Sequence, residues 1–171
     1  MHLAITLWAL FAAWRWGNWS RIDEYYPTML YILIFDLQYN FMSHSFDYHL
    51  WKMDEELFPN HWHTDVIFSF IVLPVAAFLF LSNYPDEWKK KLLHYAKWIA
   101  IFVSLESVGL LFGSITYNND WNLYWSILFN LVTFPVLRLH YLRPFLAWPV
   151  SITITLLLIW FFEVPLLDEL K

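Results

Sequence analysis

The sequence has no cysteine, only three glycines among 171 residues, and a charged fraction of only 15%. Without cysteine the chain can form neither disulfide bonds nor thiolate metal sites. So few glycines leave little room for a phosphate-binding loop or a dinucleotide-binding fingerprint. Soluble domains carry about 25% charged residues, so this chain has too little charge to cover a water-facing surface. The net charge of −5 also argues against a nucleic-acid partner, which needs a basic face for the phosphates.

Apolar residues make up 60% of the chain and aromatic residues 22%, a composition suited to hydrocarbon. A helix that crosses a bilayer needs about 20 mainly apolar residues. Six stretches meet or approach this length, at about 3–16, 28–45, 64–83, 92–115, 121–139 and 145–162. The sequence therefore predicts a single integral membrane domain over 1–171, an all-α transmembrane helical bundle of six spans. The first stretch is the shortest, so five spans are the alternative.

The segments between these stretches contain residues that favour turns. Pro27, Pro85, Pro144 and the run 118–120 mark the predicted boundaries. The segment 46–63 is too polar to span the bilayer. Its apolar residues recur at helical spacing, as Phe46, Leu50, Met53 and Leu57. We therefore predict one interfacial helix there, on the outer side of the membrane.

Lysine and arginine are distributed unevenly between the predicted loops. With six spans, eight of the ten fall on one side: Arg15, Arg21, Lys89, Lys90, Lys91, Lys97, Arg138 and Arg143. Cytoplasmic loops of membrane proteins carry the excess of basic residues. The sequence thus predicts a multi-pass protein of the cell membrane, with basic loops in the cytoplasm and both termini outside. Lys89, Lys90, Lys91, Arg138 and Arg143 are also candidate contacts for anionic lipids, although a role in topology alone would account for them.

Two carboxylates lie near the centres of predicted spans, Asp36 in the second and Glu106 in the fourth. An ionisable residue at this depth costs about 2.5–3.5 kcal/mol on insertion scales and marks a functional site by default. Asn40 and Ser43 follow Asp36 at positions i+4 and i+7, on the same helix face. The fifth span carries a similar stripe of Asn122, Ser126, Asn130 and Thr133. Pro74, in the third span, frees a backbone carbonyl at the same level.

Asp36, Asn40, Glu106 and Asn130, with Thr153 of the last span as a further member, could meet at one depth. Such a midplane site would hold a proton, a cation or a ligand, and two close carboxylates would share a proton. The alternative is that these polar side chains only fix helix packing. Gly109 and Gly113, four residues apart on the face of Glu106, would in either case allow close helix approach.

Histidines form a second candidate site on the predicted outer side. His61, His63 and Asp65 lie within five residues, and His44 and His49 are near them in sequence. Imidazoles with a carboxylate suit zinc and other divalent metals, so a metal or haem could bind here. The alternative is that they are structural histidines at the membrane interface. No other cofactor is predicted.

Several stretches carry a resemblance to a known family. They are AAWRWGNW (12–19), YYPTMLY (25–31), FPNH (58–61), FLSNYP (80–85), WNLYWSILFN (121–130) and FPVLRLHYLRP (134–144). In these stretches the chain resembles small, tryptophan-rich, multi-pass membrane proteins of spore-forming Bacillota, a family without an assigned activity. The resemblance implies a Gram-positive cell or spore-associated membrane.

The function favoured by these patterns is a small transporter, channel, or proton- or cation-coupled membrane protein that uses the midplane carboxylates. A membrane scaffold, sensor or accessory subunit is the competing class, and a histidine-based metal or haem protein is the third. The patterns favour a protein that is not an enzyme. The predicted partner is the lipid bilayer, with a second copy or another membrane protein as further candidates.

Overall fold

The computed structural model describes residues 2–53 and 66–165, which are mostly helical. The described α-helices are α1 (His2–Trp16), α2 (Ile22–Ser45), α3 (Leu73–Ser82), α4 (Trp88–Leu111), α5 (Leu123–Leu142) and α6 (Pro144–Phe161). A 3-10 turn at Trp19–Arg21 precedes α2, and a π-helical turn at Phe68–Val72 leads into α3. Two short strands, β1 (Trp51–Met53) and β2 (Ile115–Tyr117), lie between helices.

Each helix coincides with one of the apolar stretches, but α2 begins earlier than predicted. Pro27 lies inside α2 and does not mark its boundary. The helix begins ahead of it because the guanidinium of Arg21 donates two hydrogen bonds, of 2.8 and 2.5 Å, to the carboxylate of Glu24 in the first turn. A negative charge in the first turn also stabilises a helix N-terminus. The missing N–H of Pro27 then removes only a bond to the carbonyl of Asp23, close to the exposed helix end.

The predicted interfacial helix over 46–63 is wrong for its described part, 46–53. This part forms a turn, with Asp47 at φ 45°, and then strand β1. The backbone groups of β1 pair with antiparallel β2, with Trp51 opposite Tyr117, instead of forming helical hydrogen bonds. Residues 54–63 lie outside the described residues.

The helices run alternately between two ends of the molecule. One end, called the basic end below, comprises residues 16–21, 83–91 and 138–144. It is joined by a hydrogen bond of 3.2 Å from Asn83 Nδ2 to the carbonyl of Trp16. The other end, called the hairpin end, comprises residues 46–53, 112–122 and 162–165. Here β1 pairs with β2, and the hydroxyl of Tyr48 donates to the carbonyl of Phe162.

Basic residues follow this division. Of the nine lysines and arginines in the described part of the chain, Lys52 is at the hairpin end. Seven are at the basic end or within one residue of it, and Lys97 lies in the half of α4 that begins there. The loops grouped by the sequence analysis on one side thus meet at one end of the fold.

Packing is closest where small residues meet. The helix α3 packs against both α1 and α2, and α5 packs against α2, α4 and α6. Buried alanines of α1 and α3 form part of the core: Ala12, Ala13, Ala76 and Ala77. Gly17 follows α1 and also lies close to α3. A Cβ at this position would lie 2.3 Å from Cε1 of Phe78, so a larger residue would not fit without a shift.

The outer faces of the helices are strongly apolar. Large exposed side chains include Trp8, Trp14, Leu93, Leu111, Phe145 and Trp160. Of the described helices, only α6 is long and apolar enough to cross a membrane by its length and composition, so the predicted number of six spans is not confirmed. The 18 residues of α6 have a mean hydropathy of 1.8, and 11% of them are buried. The helical stretches Leu3–Trp16 and Phe68–Ser82 are apolar but shorter.

Candidate functional site

Asp36 lies on α2, partly buried against the π-helical turn before α3. Its Oδ2 accepts hydrogen bonds from the hydroxyl of Ser69 and, at 3.2 Å, from Nδ2 of Asn40. The same amide nitrogen donates to Oγ of Ser69 at 3.1 Å. The predicted pair of Asp36 and Asn40 is therefore brought together, with Ser69 as a third member from the neighbouring helix.

Ser69 is 1% exposed and was not among the site residues predicted from the sequence. Ser69 lies in the turn where the helix widens, so that the N–H of Leu73 bonds to the carbonyl of Phe68 five residues back. Pro74 is the signal that could have pointed to it. Proline cannot donate to the preceding turn, and local π-helical geometry is one way to accommodate this.

A cavity of about 20 Å³ opens beside Asp36. We call it the Asp36 pocket, and its polar lining residues are Asp36, Tyr39, Asn40, Ser43, His44, His49, Lys52 and Ser69. Because its lining continues to Trp51, Lys52 and Met53 of β1, the pocket extends from the middle of α2 toward the hairpin end. A water needs roughly 10–15 Å³ of such space, so the pocket has room for about one water or a small ion.

Ser43 has an unusual position in this pocket. Its side chain is 3% exposed, and its Oγ has no hydrogen-bond partner among the described residues. A buried hydroxyl without a partner costs roughly 1–3 kcal/mol, and such a group is commonly explained by a bound water or ion. The predicted stripe Asp36, Asn40 and Ser43 therefore faces one common space.

The pocket carries ionisable side chains nearer the hairpin end. The rings of His44 and His49 lie 5.4 Å apart, and Nδ1 of His49 is 3.8 Å from Oδ1 of Asp47. Within residues 2–53 and 66–165, no group of three or more histidines and carboxylates is placed to hold a metal ion. The remaining members of the predicted histidine site, His61, His63 and Asp65, lie outside the described residues.

Glu106 belongs to a different cluster, between α4, β2 and α5. Its Oε1 accepts hydrogen bonds from the hydroxyl of Tyr117 at 2.8 Å and that of Ser126 at 2.6 Å. Nε1 of Trp121 donates to the same Ser126 oxygen at 2.8 Å. Glu106 and Asp36 share no hydrogen-bond partner in the described part of the chain. The two carboxylates that the sequence predicted to meet are thus divided between a pocket and a paired cluster.

The other residues predicted for the midplane site do not join the pocket. Nδ2 of Asn130 donates to the carbonyl of Ser126 on its own helix at 2.8 Å. Thr153 is exposed and donates to the carbonyl of Pro149, also at 2.8 Å. Both bonds are local to one helix, so these two side chains do not link the helices through them.

The predicted packing pair of Gly109 and Gly113 is wrong for Gly113. Gly109 is buried in α4, whereas Gly113 follows the end of this helix with φ at +69°. The N–H of Ser114 bonds to the carbonyl of Gly109 at 2.8 Å. Gly113 therefore terminates α4 by adopting the left-handed conformation that glycine accepts without a steric penalty.

A buried polar contact between α2 and α5 was also missed. Oγ1 of Thr28 lies 2.9 Å from Nδ1 of His140, and the imidazole stacks on Tyr31 with the ring centroids 4.0 Å apart. The hydroxyl of Tyr31 in turn contacts Ser151 of α6. The i, i+3 spacing of Thr28 and Tyr31 places both on one face of α2, which was the available signal.

Aromatic rings contact Arg138 at the basic end. The guanidinium of Arg138 lies 4.1 Å from the ring centre of Tyr84 and 5.0 Å from that of Tyr141. The hydroxyl of Tyr141 donates to Glu24 at 3.0 Å. The hydrogen bonds from Arg21 are the main reason why the pKa of the Glu24 carboxyl is lowered.

The residues predicted to contact anionic lipids all lie at this end. Lys90 pairs with Glu87 at 2.6 Å, and Lys89 and Arg143 are exposed. Nζ of Lys91 is 6.0 Å from the ring centre of Tyr84. Lipid binding by these residues stays a prediction.

Comparison of the chain with protein-family models, with curated proteins and with solved structures finds no match in any of the three.

Proposed function

We propose that the chain is an integral membrane protein of six spans, with its basic end in the cytoplasm and its hairpin end outside. Three observations support this proposal: the apolar outer faces of the helices, the sparsely buried α6, and the concentration of basic residues at one end. The resemblance to tryptophan-rich proteins of spore-forming Bacillota supports a cell-membrane location.

The absence of cysteine allows a direct test of this topology. Single cysteines replace exposed residues at each end, as Ser20→Cys and Asp86→Cys at the basic end and Thr116→Cys at the hairpin end. A membrane-impermeant maleimide added to intact cells should label Thr116→Cys and leave the other two unlabelled until the membrane is opened. Labelling of all three from outside would contradict the proposal.

The variant Leu3→Cys distinguishes six spans from five. Leu3 is 49% exposed at the start of α1. If α1 crosses the membrane, the new thiol is labelled from outside, like Thr116→Cys. If α1 does not cross, it behaves like Ser20→Cys.

Within the membrane, we propose that the protein binds a small cation, the proton included, at Asp36, as the coupling site of a small transporter or channel. The observation that carries this proposal is the position of the Asp36 carboxylate at the Asp36 pocket. Asp36 lies nine residues before the end of α2, which places it about 14 Å from the hairpin end at 1.5 Å per residue. A carboxylate at this depth favours a bound cation or a proton over an unpaired charge.

A flux measurement tests this function. The purified protein is reconstituted in liposomes that contain a pH-sensitive or cation-sensitive dye, and uptake is driven by a concentration gradient. We expect Asp36→Asn to abolish uptake and Glu106→Gln to retain most of it, because Glu106 lies in the paired cluster. Uptake that persists unchanged in Asp36→Asn would overturn the proposal.

The paired Glu106 cluster favours one alternative, a membrane scaffold whose buried polar residues fix packing. The hydroxyls of Tyr117 and Ser126 both donate to Glu106, and the Trp121 indole donates to Ser126, so this carboxylate is paired within the protein. A scaffold role for the whole protein predicts no uptake by the wild-type chain in the same liposomes.

A further inference from the structure

We propose that the Asp36 pocket binds a monovalent alkali cation of the size of Na⁺, through oxygen atoms of Asp36, Asn40, Ser43 and Ser69. This inference rests on the proposed function and names the ion that the site takes. It depends on the chemistry of the lining groups, the unpartnered Ser43 hydroxyl and the charge balance of the pocket.

The deep part of the pocket offers oxygen ligands, which hard cations prefer. Asp36 contributes a carboxylate, and Ser43 and Ser69 contribute hydroxyls. Asn40 uses its amide nitrogen to donate to Asp36 and Ser69, so its carbonyl oxygen is the atom available to a cation. Asp36, Asn40 and Ser43 recur at i, i+4 and i+7, which places the three groups on one face of α2.

Ser43 is the observation that points beyond a structural polar cluster. A hydroxyl that served only packing would have a hydrogen-bond partner, whereas Oγ of Ser43 has none among the described residues while it lines the cavity. A cation coordinated by this oxygen would satisfy it.

Charge selects a monovalent ion. Asp36 is the only carboxylate, and Lys52 the only lysine or arginine, among the described residues that line the pocket, so a monovalent ion adds the least positive charge to this lining. The other titratable or charged groups of the lining are His44 and the Tyr39 hydroxyl of α2, His49 in the turn that follows, and Lys52 of β1. A divalent ion would leave an excess positive charge close to Lys52. The cavity of about 20 Å³ also excludes bulky organic cations.

The helix irregularity opposite α2 fits the same role. Ser69 lies in the π-helical turn, and Pro74 has no N–H to donate to the carbonyls of that turn. Membrane transporters commonly bind cations where a helix is irregular and its carbonyls are released from helical bonding.

The test is thermal unfolding of the full chain in lipid nanodiscs at constant ionic strength, with NaCl, KCl or choline chloride. Ligand that binds the folded state raises Tm with concentration. We expect NaCl to raise the Tm of the wild type relative to choline chloride. Asp36→Asn and Ser43→Ala should lose this rise. Ser107→Ala is the matched control, because Ser107 bonds to the Val103 carbonyl of its own helix at 2.7 Å, and should retain it.

Equal Tm values in NaCl, KCl and choline chloride would overturn the inference, and so would an undiminished rise in Ser43→Ala. The experiments distinguish failure of the alkali-cation site from failure of the proposed function. If the liposomes show proton uptake that depends on Asp36 while no alkali cation changes Tm, the alkali site is refuted and the Asp36 function stands. If Asp36→Asn changes neither uptake nor Tm, both are refuted.

Discussion

The hydroxyl of Ser126 lies 2.6 Å from Oε1 of Glu106, and so joins α5 to α4 through a carboxylate. The indole of Trp121 donates to the same hydroxyl, and Tyr117 brings β2 to the same carboxylate oxygen. Glu106 thus anchors the hairpin end to two helices. Glu106 was predicted to be functional from its position near the centre of an apolar stretch. Its hydrogen-bond partners instead indicate a structural role.

Removing the Glu106 acceptor should destabilise the fold, and replacing it conservatively should not. Glu106→Ala leaves the hydroxyls of Tyr117 and Ser126 without their acceptor, which should cost roughly 1–3 kcal/mol. Glu106→Gln keeps an oxygen at this position and should cost less. The measurement is unfolding in detergent by a denaturant. Equal stability of Glu106→Ala and the wild type would contradict the anchoring role.

Ser43→Ala should stabilise the protein when no cation is present. The variant removes a buried hydroxyl that has no partner in the described part of the chain, and the relief should be on the order of 1 kcal/mol. The same variant should be less stable than the wild type at saturating NaCl. The crossing of the two Tm curves with salt concentration is the readout, and parallel curves would contradict it.

The hairpin end should loosen at alkaline pH. Burial is the main cause that raises the pKa of the Tyr117 hydroxyl above its ordinary value of about 10. Since the neutral form is favoured in the folded state, this stabilisation is present below pH about 10 and is lost as the pH rises through the raised pKa. Tyr117→Phe should flatten the fall of Tm between pH 9 and pH 12, whereas Tyr124→Phe, at an exposed position, should not.

The contact of Arg138 with the rings of Tyr84 and Tyr141 should depend on the guanidinium group and not only on its positive charge. A planar guanidinium stacks on aromatic rings, whereas an ammonium does so less well. Arg138→Lys should therefore destabilise the protein by about 0.5–2 kcal/mol, the range for a cation–π contact. Arg143→Lys, at an exposed position, is the control. No loss in Arg138→Lys would show that Tyr84 and Tyr141 do not stabilise the cation.

Thr28→Val should weaken the joint between α2 and α5. Thr28 and His140 are both buried, and the substitution leaves Nδ1 of His140 without this partner, at a cost of roughly 1–3 kcal/mol. Thr133→Val is the comparison, because the Thr133 hydroxyl bonds to Phe129 of its own helix. We expect a lower Tm for Thr28→Val alone, and equal Tm values for the two variants would contradict this.

Hydropathy located the described helices because each of them coincides with an apolar stretch, although only α6 is both long and apolar enough to cross a membrane. The roles predicted for single prolines and glycines were less accurate. Pro27 lies inside α2 because the Arg21–Glu24 pair starts the helix before it, and Gly113 lies outside α4 because it ends that helix. Asp36 and Glu106 each lie near the centre of an apolar stretch, so the sequence predicted that they could meet. The packing of α3 and α5 against their helices decides which hydrogen-bond partners each carboxylate has.

The partners missed by the sequence analysis come from distant positions. Ser69 reaches Asp36 across 33 residues, and Thr28 reaches His140 across 112. The strands β1 and β2 have three residues each, too few for an alternating pattern to be recognised. Non-local pairing of this kind leaves no periodic signal in either segment alone.

The pairing of Trp51 with Tyr117 also has a consequence for biosynthesis. The two residues are 66 positions apart, and a ribosome adding about 5–20 residues per second needs roughly 3–13 s to make the intervening chain. During this time β1, whose residues line the Asp36 pocket, has no β2 to pair with. The backbone of 51–53 therefore stays without its strand partner for seconds, and arrest of synthesis before Tyr117 should make cleavage at Lys52 by trypsin faster than in the finished protein.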